Sequence, residues 1–204
     1  MPTGISTGNP MLRKVVVGIL LALPGPLSAQ AAQVDSVGDR AESAAAVLFK
    51  GGEVADVGRL LLGGWAGLVF GEDFMLGGGG ITLLEDVELP GSESGTGFDL
   101  GMGYGGVILK HWWDLSGRLT GEGGLLLGAG HATVKDRRTG QEVGSENFPI
   151  LEPEVGLAFR VFRRVHVGVS VGYRLVWSVE DLPRVSPDDL RSFSGTLSLR
   201  AGGR

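Results

Sequence analysis

The chain contains no cysteine in its 204 residues. That excludes a disulfide scaffold, a thiolate metal site and thiol catalysis. It also lacks an excess of positive charge. Its 18 Lys and Arg face 23 Asp and Glu, a formal charge of −5, which argues against a nucleic-acid-binding surface. Histidine is scarce: His111, His131 and His166 are the three present, and they show no metal-ligand spacing. Glycine, in contrast, is abundant, with 37 residues where ordinary proteins hold about 7%. The excess is not a linker or a disordered tract, because 43% of residues are hydrophobic and the mean hydropathy is +0.19. The length allows one domain, or at most two.

Beyond the first thirty residues there is no long hydrophobic run. Near the start, Arg13 and Lys14 precede the apolar stretch Val15–Leu23. Pro24 and Pro26 follow, then Ala29-Gln30-Ala31. Charged, apolar and small-residue segments in that order predict a secretory signal peptide over residues 1–31. The two prolines oppose a membrane-anchoring helix there. A flexible segment is expected over 32–43 and a single domain over 44–204. Within that domain the uncharged run Leu60–Gly71 is too short to span a bilayer as a helix. Its glycines would each cost a helix about 1 kcal/mol relative to alanine.

What runs through the domain is alternation. From Arg164 to Ser178, Val165, Val167, Val169, Val171, Tyr173, Leu175 and Trp177 share one parity, while Arg164, His166, Ser170, Arg174 and glycines take the other. This is a strand with an apolar and a polar face, and it is longer than the usual five or six residues. Similar patterns place strands at 44–53, 57–70, 73–86, 96–110, 115–133, 148–161, 164–178 and 191–201. In the segment from Phe98 to Ile108, Phe98, Leu100, Met102, Tyr104 and Ile108 oppose Asp99 and glycines, so the apolar set is expected outside. Long polar loops are expected at 87–95, 134–147 and 179–190, alternating with short turns. Phe70, Phe74, Trp112, Trp113, Phe148, Phe162 and Trp177 fall at strand ends, as interfacial aromatic girdles do.

Eight strands, an even number, with alternating loop lengths predict an all-β fold: an eight-stranded antiparallel up-and-down transmembrane β-barrel. Such a barrel leaves room inside for side chains and little else. The inward parity is expected to carry Arg59, Asp99, Arg118, Glu122, Glu152, Glu154, Arg160, His166, Arg174 and Arg200. Both signs are present, so a lumenal network of ion pairs is expected, with inward glycines making room for arginines and Trp65.

Catalytic signals are weak. Gly101-Met-Gly-Tyr-Gly-Gly106 matches a dinucleotide-binding pattern, but a strand continues through it where a helix is required. Glu152 and Glu154 share a face and suit arginine pairing better than paired-carboxylate catalysis. His131 lies on the outward parity near an outer rim, a place for surface chemistry, and no local Ser–His–acid trio marks a hydrolase. No cofactor, metal or catalytic residue is expected.

Gly63-Gly-Trp-Ala-Gly67, Phe74-Met-Leu-Gly-Gly-Gly-Gly80, Gly103-Tyr-Gly-Gly106, Glu152-Pro-Glu154 and Val169-Ser-Val-Gly-Tyr-Arg174 resemble small outer-membrane β-barrel proteins of Gram-negative bacteria. The resemblance covers about residues 44–201. It implies an outer-membrane location, with membrane lipid and the outer-membrane assembly machinery as partners. It carries no activity. The expected role is structural or surface interaction, with a plugged interior. Two alternatives remain: a lipocalin-like secreted or periplasmic barrel carrying an apolar molecule, and a rim-site envelope lipid hydrolase.

Overall fold

The computed structural model describes residues 42–89, 97–179, 182 and 185–203. The expected signal peptide and most of segment 32–43 lie outside the described residues, as do residues 90–95, 180, 181, 183 and 184 of two expected loops and residue 96, the first of an expected strand.

Alternating side chains favour extended backbone because a strand sends successive residues into two environments. The elements are β1 (Glu42–Val54), β2 (Val57–Phe70), β3 (Phe74–Leu83), β4 (Val87–Glu88), β5 (Phe98–Ser116), β6 (Leu119–Asp136), β7 (Glu142–Phe162), β8 (Val165–Val176), the one-turn helix α1 (Pro187–Leu190) and β9 (Ser192–Gly202). The ladder runs β3-β2-β1-β9-β8-β7-β6-β5, and β3 pairs back onto β5 from Phe74↔His111 to Thr82↔Gly103, so the sheet closes. The two residues of β4 pair with the same edge of β5 beyond β3. This is the eight-stranded antiparallel barrel that the alternation predicts.

The tight connections at 71–73, 117–118 and 163–164 lie at the end where β1 begins and β9 ends; we call it the turn end. The connections at 55–56, 89–97, 137–141 and 177–191 lie at the other, the loop end. Ala55 and Asp56 both have left-handed backbone, φ 51° and 59°, the twist a two-residue hairpin requires.

The expected long loop 134–147 is instead a tight connection, because β6 runs to Asp136 and β7 begins at Glu142. Away from lipid both faces of a strand tolerate polar side chains, so the ladder continues where the apolar signal stops. Residues 42 and 43, expected in the flexible segment, belong to β1.

Which parity faces inward is read from burial. Lys50, Glu122, Glu152, His166, Arg174 and Arg200 are buried, while Phe49, Leu60, Leu127, Val169, Val171 and Phe193 are at least half exposed on the outer face. In β5 the expected facing is reversed: Leu100, Met102, Tyr104 and Ile108 are buried, and the glycines Gly101, Gly103 and Gly105 face out. Trp112 and Phe148, expected in the girdles, also lie inside. Phe70, Phe74, Trp113 and Phe162 remain exposed at the turn end, and Trp177 at the loop end.

The loop end holds a dry apolar cluster. Val54, Val87, Leu100, Val134, Ile150 and Val176 meet Val179, Leu182, Val185 and Leu190 of the β8–β9 connection. This explains the reversal in β5: Leu100 and Met102 face that cluster, so apolar parity there marks core and not lipid.

Glycine sets how closely β5 and β6 approach. A Cβ at Gly106 would lie against the Leu127 carbonyl, and one at Gly128 against the Gly105 carbonyl, whereas a Cβ at Gly195 of β9 meets nothing within 4 Å. Gly106→Val and Gly128→Val are expected to lower stability by about 1–3 kcal/mol through overpacking. Gly195→Val should be tolerated. Urea unfolding of the refolded barrel in detergent micelles, followed by tryptophan fluorescence, checks both.

Candidate functional site

The lumen is the place where charge gathers, and each strand contributes by its inward parity. Midway along the barrel, Lys50 of β1 donates to Glu152 Oε1 of β7 at 2.7 Å. The same oxygen accepts from Ser194 Oγ of β9 at 3.0 Å, and Oε2 accepts from the Tyr104 hydroxyl of β5 at 2.8 Å. Lys50 and Glu152 are each about 2% exposed, so neither charge has water as an alternative partner.

Toward the turn end, Lys110 of β5 pairs with Glu154 of β7. The Lys110 ammonium also lies 5.4 Å from the Trp65 ring centroid, and Trp65 stands 6.4 Å from Trp112. Below them Arg200 of β9 sits 4.3 Å over the Trp112 ring, with Glu122 Oε2 at 4.0 Å. Its guanidinium has no hydrogen-bond partner among the described residues. His166 is buried between Arg160 and Arg200 in the ladder register.

Toward the loop end Arg174 of β8 is satisfied by carbonyls and not by a carboxylate. Its Nε donates to Leu190 O at 2.6 Å, and its NH2 donates to Glu53 O at 2.8 Å and to Ser192 Oγ at 3.1 Å. Arg191 donates to Val176 O at 2.9 Å. The Ala55 N–H donates to Asp189 O at 2.8 Å. These bonds hold the β8–β9 connection and α1 against the barrel mouth.

Of the ten residues expected inside, Glu122, Glu152, Glu154, His166, Arg174 and Arg200 lie in these layers. Arg59 and Arg160 are half-buried near opposite ends, with Arg160 donating to the Gly117 carbonyl. Two do not face the lumen. Arg118 is exposed in the turn between β5 and β6. Asp99 is on the outer face of β5, where Arg137 donates to it at 2.5 Å and also pairs with Glu88 at 2.9 Å. Its hydrogen bond to Asp99, aided by Glu88, raises the Arg137 pKa above its ordinary value.

Lys50 and Lys110 were missed by sequence reasoning. Lys110 continues the parity of Tyr104 and Ile108, and a lysine on an apparently lipid-facing stripe was the signal that the stripe points inward. The pairing of glycine with bulk is direct: a Cβ at Gly124 would be 2.9 Å from Glu154 Cγ, and one at Gly130 would meet the Phe148 ring. Between the two ion pairs a void of about 20 Å3, lined by Leu48, Lys50, Trp65 and Glu152 among others, is of the size of one or two waters.

Among the described residues no cluster of three or more metal-ligating side chains occurs. No protein-family model and no curated protein matches the sequence. Among solved structures, neisserial surface protein A is 14% identical, with 78% of this chain and 95% of that one covered and a TM-score of 0.55. Ail, the attachment invasion locus protein of Yersinia pestis, solved with the heparin analogue sucrose octasulfate, is 16% identical, covering 79% and 98%, with a TM-score of 0.51. The chain thus has the fold of small eight-stranded outer-membrane barrels.

The Lys50–Glu152 pair gives a quantitative expectation. Lys50→Met leaves a buried carboxylate without its cation and should cost about 3–5 kcal/mol. Lys50→Met combined with Glu152→Gln should recover part of that loss. A double-mutant cycle by urea unfolding in micelles measures the coupling.

Proposed function

We propose that this chain is an outer-membrane β-barrel whose outer face sits in lipid, whose lumen is plugged by side chains, and whose role is structural or one of surface interaction. The observation that carries the reading is the opposition of the two faces. Exposed Val, Leu and Phe cover the outer parity while Lys, Glu and Arg are buried on the inner one. A soluble protein has the reverse arrangement, and a closed barrel is the one β structure that leaves no unpaired backbone in hydrocarbon. On β6 the outward stretch from Leu119 to Ala129 rises about 24 Å at about 3.4 Å per residue and 45° tilt, the height of a lipid-facing band of about 25 Å.

The plugged reading rests on the ion-paired layers and the apolar cap at the loop end. A lipocalin-like carrier requires an apolar cavity large enough for its cargo, and the small void between Lys50 and Glu154 does not offer one. Surface interaction fits the loop end, where Glu88, Asp99, Arg137 and the start of β7 extend past the apolar band. No catalytic step is assigned to the lumen. Lipid and the outer-membrane assembly machinery are the partners that this reading entails, and export by the 1–31 leader is part of it.

Fractionation of cells expressing the full chain should recover it in the outer membrane, with a band that shifts on boiling. Recovery in the soluble periplasm would overturn the reading. Val171→Arg, on the lipid face, should destabilise the folded barrel in bilayers by about 2–4 kcal/mol. The outward rim change Lys135→Gln should leave it within about 0.5 kcal/mol.

A further inference from the structure

One polar constellation lies outside the lumen. On the outer face of β6, the Thr133 hydroxyl is 3.0 Å from His131 Nε2. On the other side of the ring, His131 Nδ1 is 3.0 Å from Asn147 Oδ1 of β7. The Asn147 oxygen can only accept, so Nδ1 carries the proton and donates. Nε2 is then left with its lone pair toward the Thr133 hydroxyl. The three residues therefore stand as nucleophile, general base and orienting group, in hydrogen-bond reach and in the correct tautomer.

Ladder register fixes this arrangement: His131 is opposite Asn147, and Thr133 is opposite Ser145. His131 and Asn147 are exposed and Thr133 is half-buried, so a substrate can reach all three.

The surroundings specify the substrate. His131 is the first outward residue of β6 beyond Ala129, where the apolar band ends. That is the depth at which the acyl esters of membrane lipids lie. The next ladder row toward the membrane reads Gly80, Gly105, Ala129 and Pro149 across β3, β5, β6 and β7. Beside His131 the row continues into Gly103. Gly80, Gly103 and Gly105 carry no side chain and Ala129 only a methyl group, with the Pro149 ring on the β7 side, so a strip of bare sheet runs from the His131–Thr133 pair down to Val107 and Leu127, both more than half exposed. An acyl chain can lie along it with its ester carbonyl at Thr133.

We propose that Thr133 and His131, positioned by Asn147, form an esterase site that cleaves an acyl ester of a membrane lipid at the outer rim. This goes beyond the structural role above, against the expectation of a non-enzyme, and rests on the barrel standing in the membrane. Thr133 Oγ1 attacks the ester carbonyl carbon while His131 Nε2 takes the hydroxyl proton. The tetrahedral intermediate collapses, the bond to the lipid alkoxide breaks, and His131 returns the proton to that oxygen. The acyl group is then an ester of Thr133. Water, deprotonated by His131, attacks it and releases the carboxylic acid, and the proton restores the Thr133 hydroxyl. The net reaction is ester plus water giving acid plus alcohol. Thr133 and His131 are the catalytic residues, and Asn147 is a positioning residue.

The full-length barrel, purified in detergent and shown folded by its boiling-sensitive band, is mixed with phosphatidylethanolamine vesicles in one arm and with lipopolysaccharide in the other. Released fatty acid is measured by mass spectrometry. Release is expected in at least one arm, and which arm responds identifies the lipid source of the ester. Thr133→Ala and His131→Ala should each lower it by about 100-fold or more. Thr133→Ser should retain it. Asn147→Ala should lower kcat with little change in KM, and Asn147→Asp should restore most of the rate. These substitutions, at exposed or half-buried positions on the outer face, are expected to keep the band shift. A folded barrel that releases no fatty acid in either arm overturns the site, as does a Thr133→Ala variant as active as the parent. A chain with no band shift overturns the barrel reading, and this site with it, because the three residues meet only across the β6–β7 wall.

Discussion

The seam between the first and last strands is the constraint on which the rest depends. In hydrocarbon an unpaired N–H or C=O has no water to turn to and costs several kcal/mol. β1 and β9 each expose an edge until Ala44–Gly52 pairs with Gly202–Ser194. Once that ladder forms, the circumference is fixed at eight strands and the interior becomes narrow. Narrowness then decides composition. Inward positions opposite bulky groups must be glycine, as at Gly124 beside Glu154 and Gly130 beneath Phe148. Close backbone approach requires glycine again at Gly106 and Gly128.

A narrow interior also decides how charge is held. Water competes poorly inside, so each buried charge needs a protein partner. Glu152 solves this with three donors, Lys50, Ser194 and Tyr104. Arg174 solves it with the Leu190 carbonyl of the β8–β9 connection and the Glu53 carbonyl near the end of β1. The second solution has a structural consequence. Carbonyls that would otherwise be orphaned at Leu190 and Glu53 become acceptors, and the β8–β9 connection is drawn down over the mouth. The left-handed Ala55 fits the same arrangement, since its N–H is bound by Asp189 O and its side chain is buried in the cap. Polar bonds and the apolar cluster therefore hold the cap together, and the acidic stretch near 187–190 is part of a packed element, not a purely solvated run.

Strand number, order and most boundaries were legible because a period of two admits few other readings over such lengths. Facing was legible where one parity carried charge, as in β7 with Glu152 and Glu154 or β8 with His166 and Arg174. It failed in β5, where the two faces hold apolar side chains and glycine. Leu100 and Met102 look the same in lipid and in a dry core, and Asp99 went to the rim. Trp112 and Phe148 failed for a related reason: an aromatic residue at a strand end belongs to a girdle or to the lumen according to parity alone. The hairpin above the membrane was hidden because nothing apolar marks a strand with water on both sides. Lys50 and Lys110 were readable in principle, since a lysine on an apolar stripe is costly in lipid and is stable there only when it faces a carboxylate.

The outer face obeys the same logic with the sign reversed one ladder step at a time. Up to Ala129 the outward side chains must be apolar or absent, because any unpaired polar group would meet hydrocarbon. At His131 the requirement ends. Residues there have no packing task, and the lumen does not touch them. Their hydrogen bonds run across β6 and β7; at this level β6 is held by ladder pairs on both sides, and β7 by its pairs with β6. A barrel wall is thus a rigid mount for exposed polar groups, holding Thr133, His131 and Asn147 in fixed relation without burying them. Close packing against Gly79 requires glycine at Gly105, and with Gly103 it leaves bare sheet surface beside these residues, so a constraint of packing contributes to the space through which a lipid ester can approach.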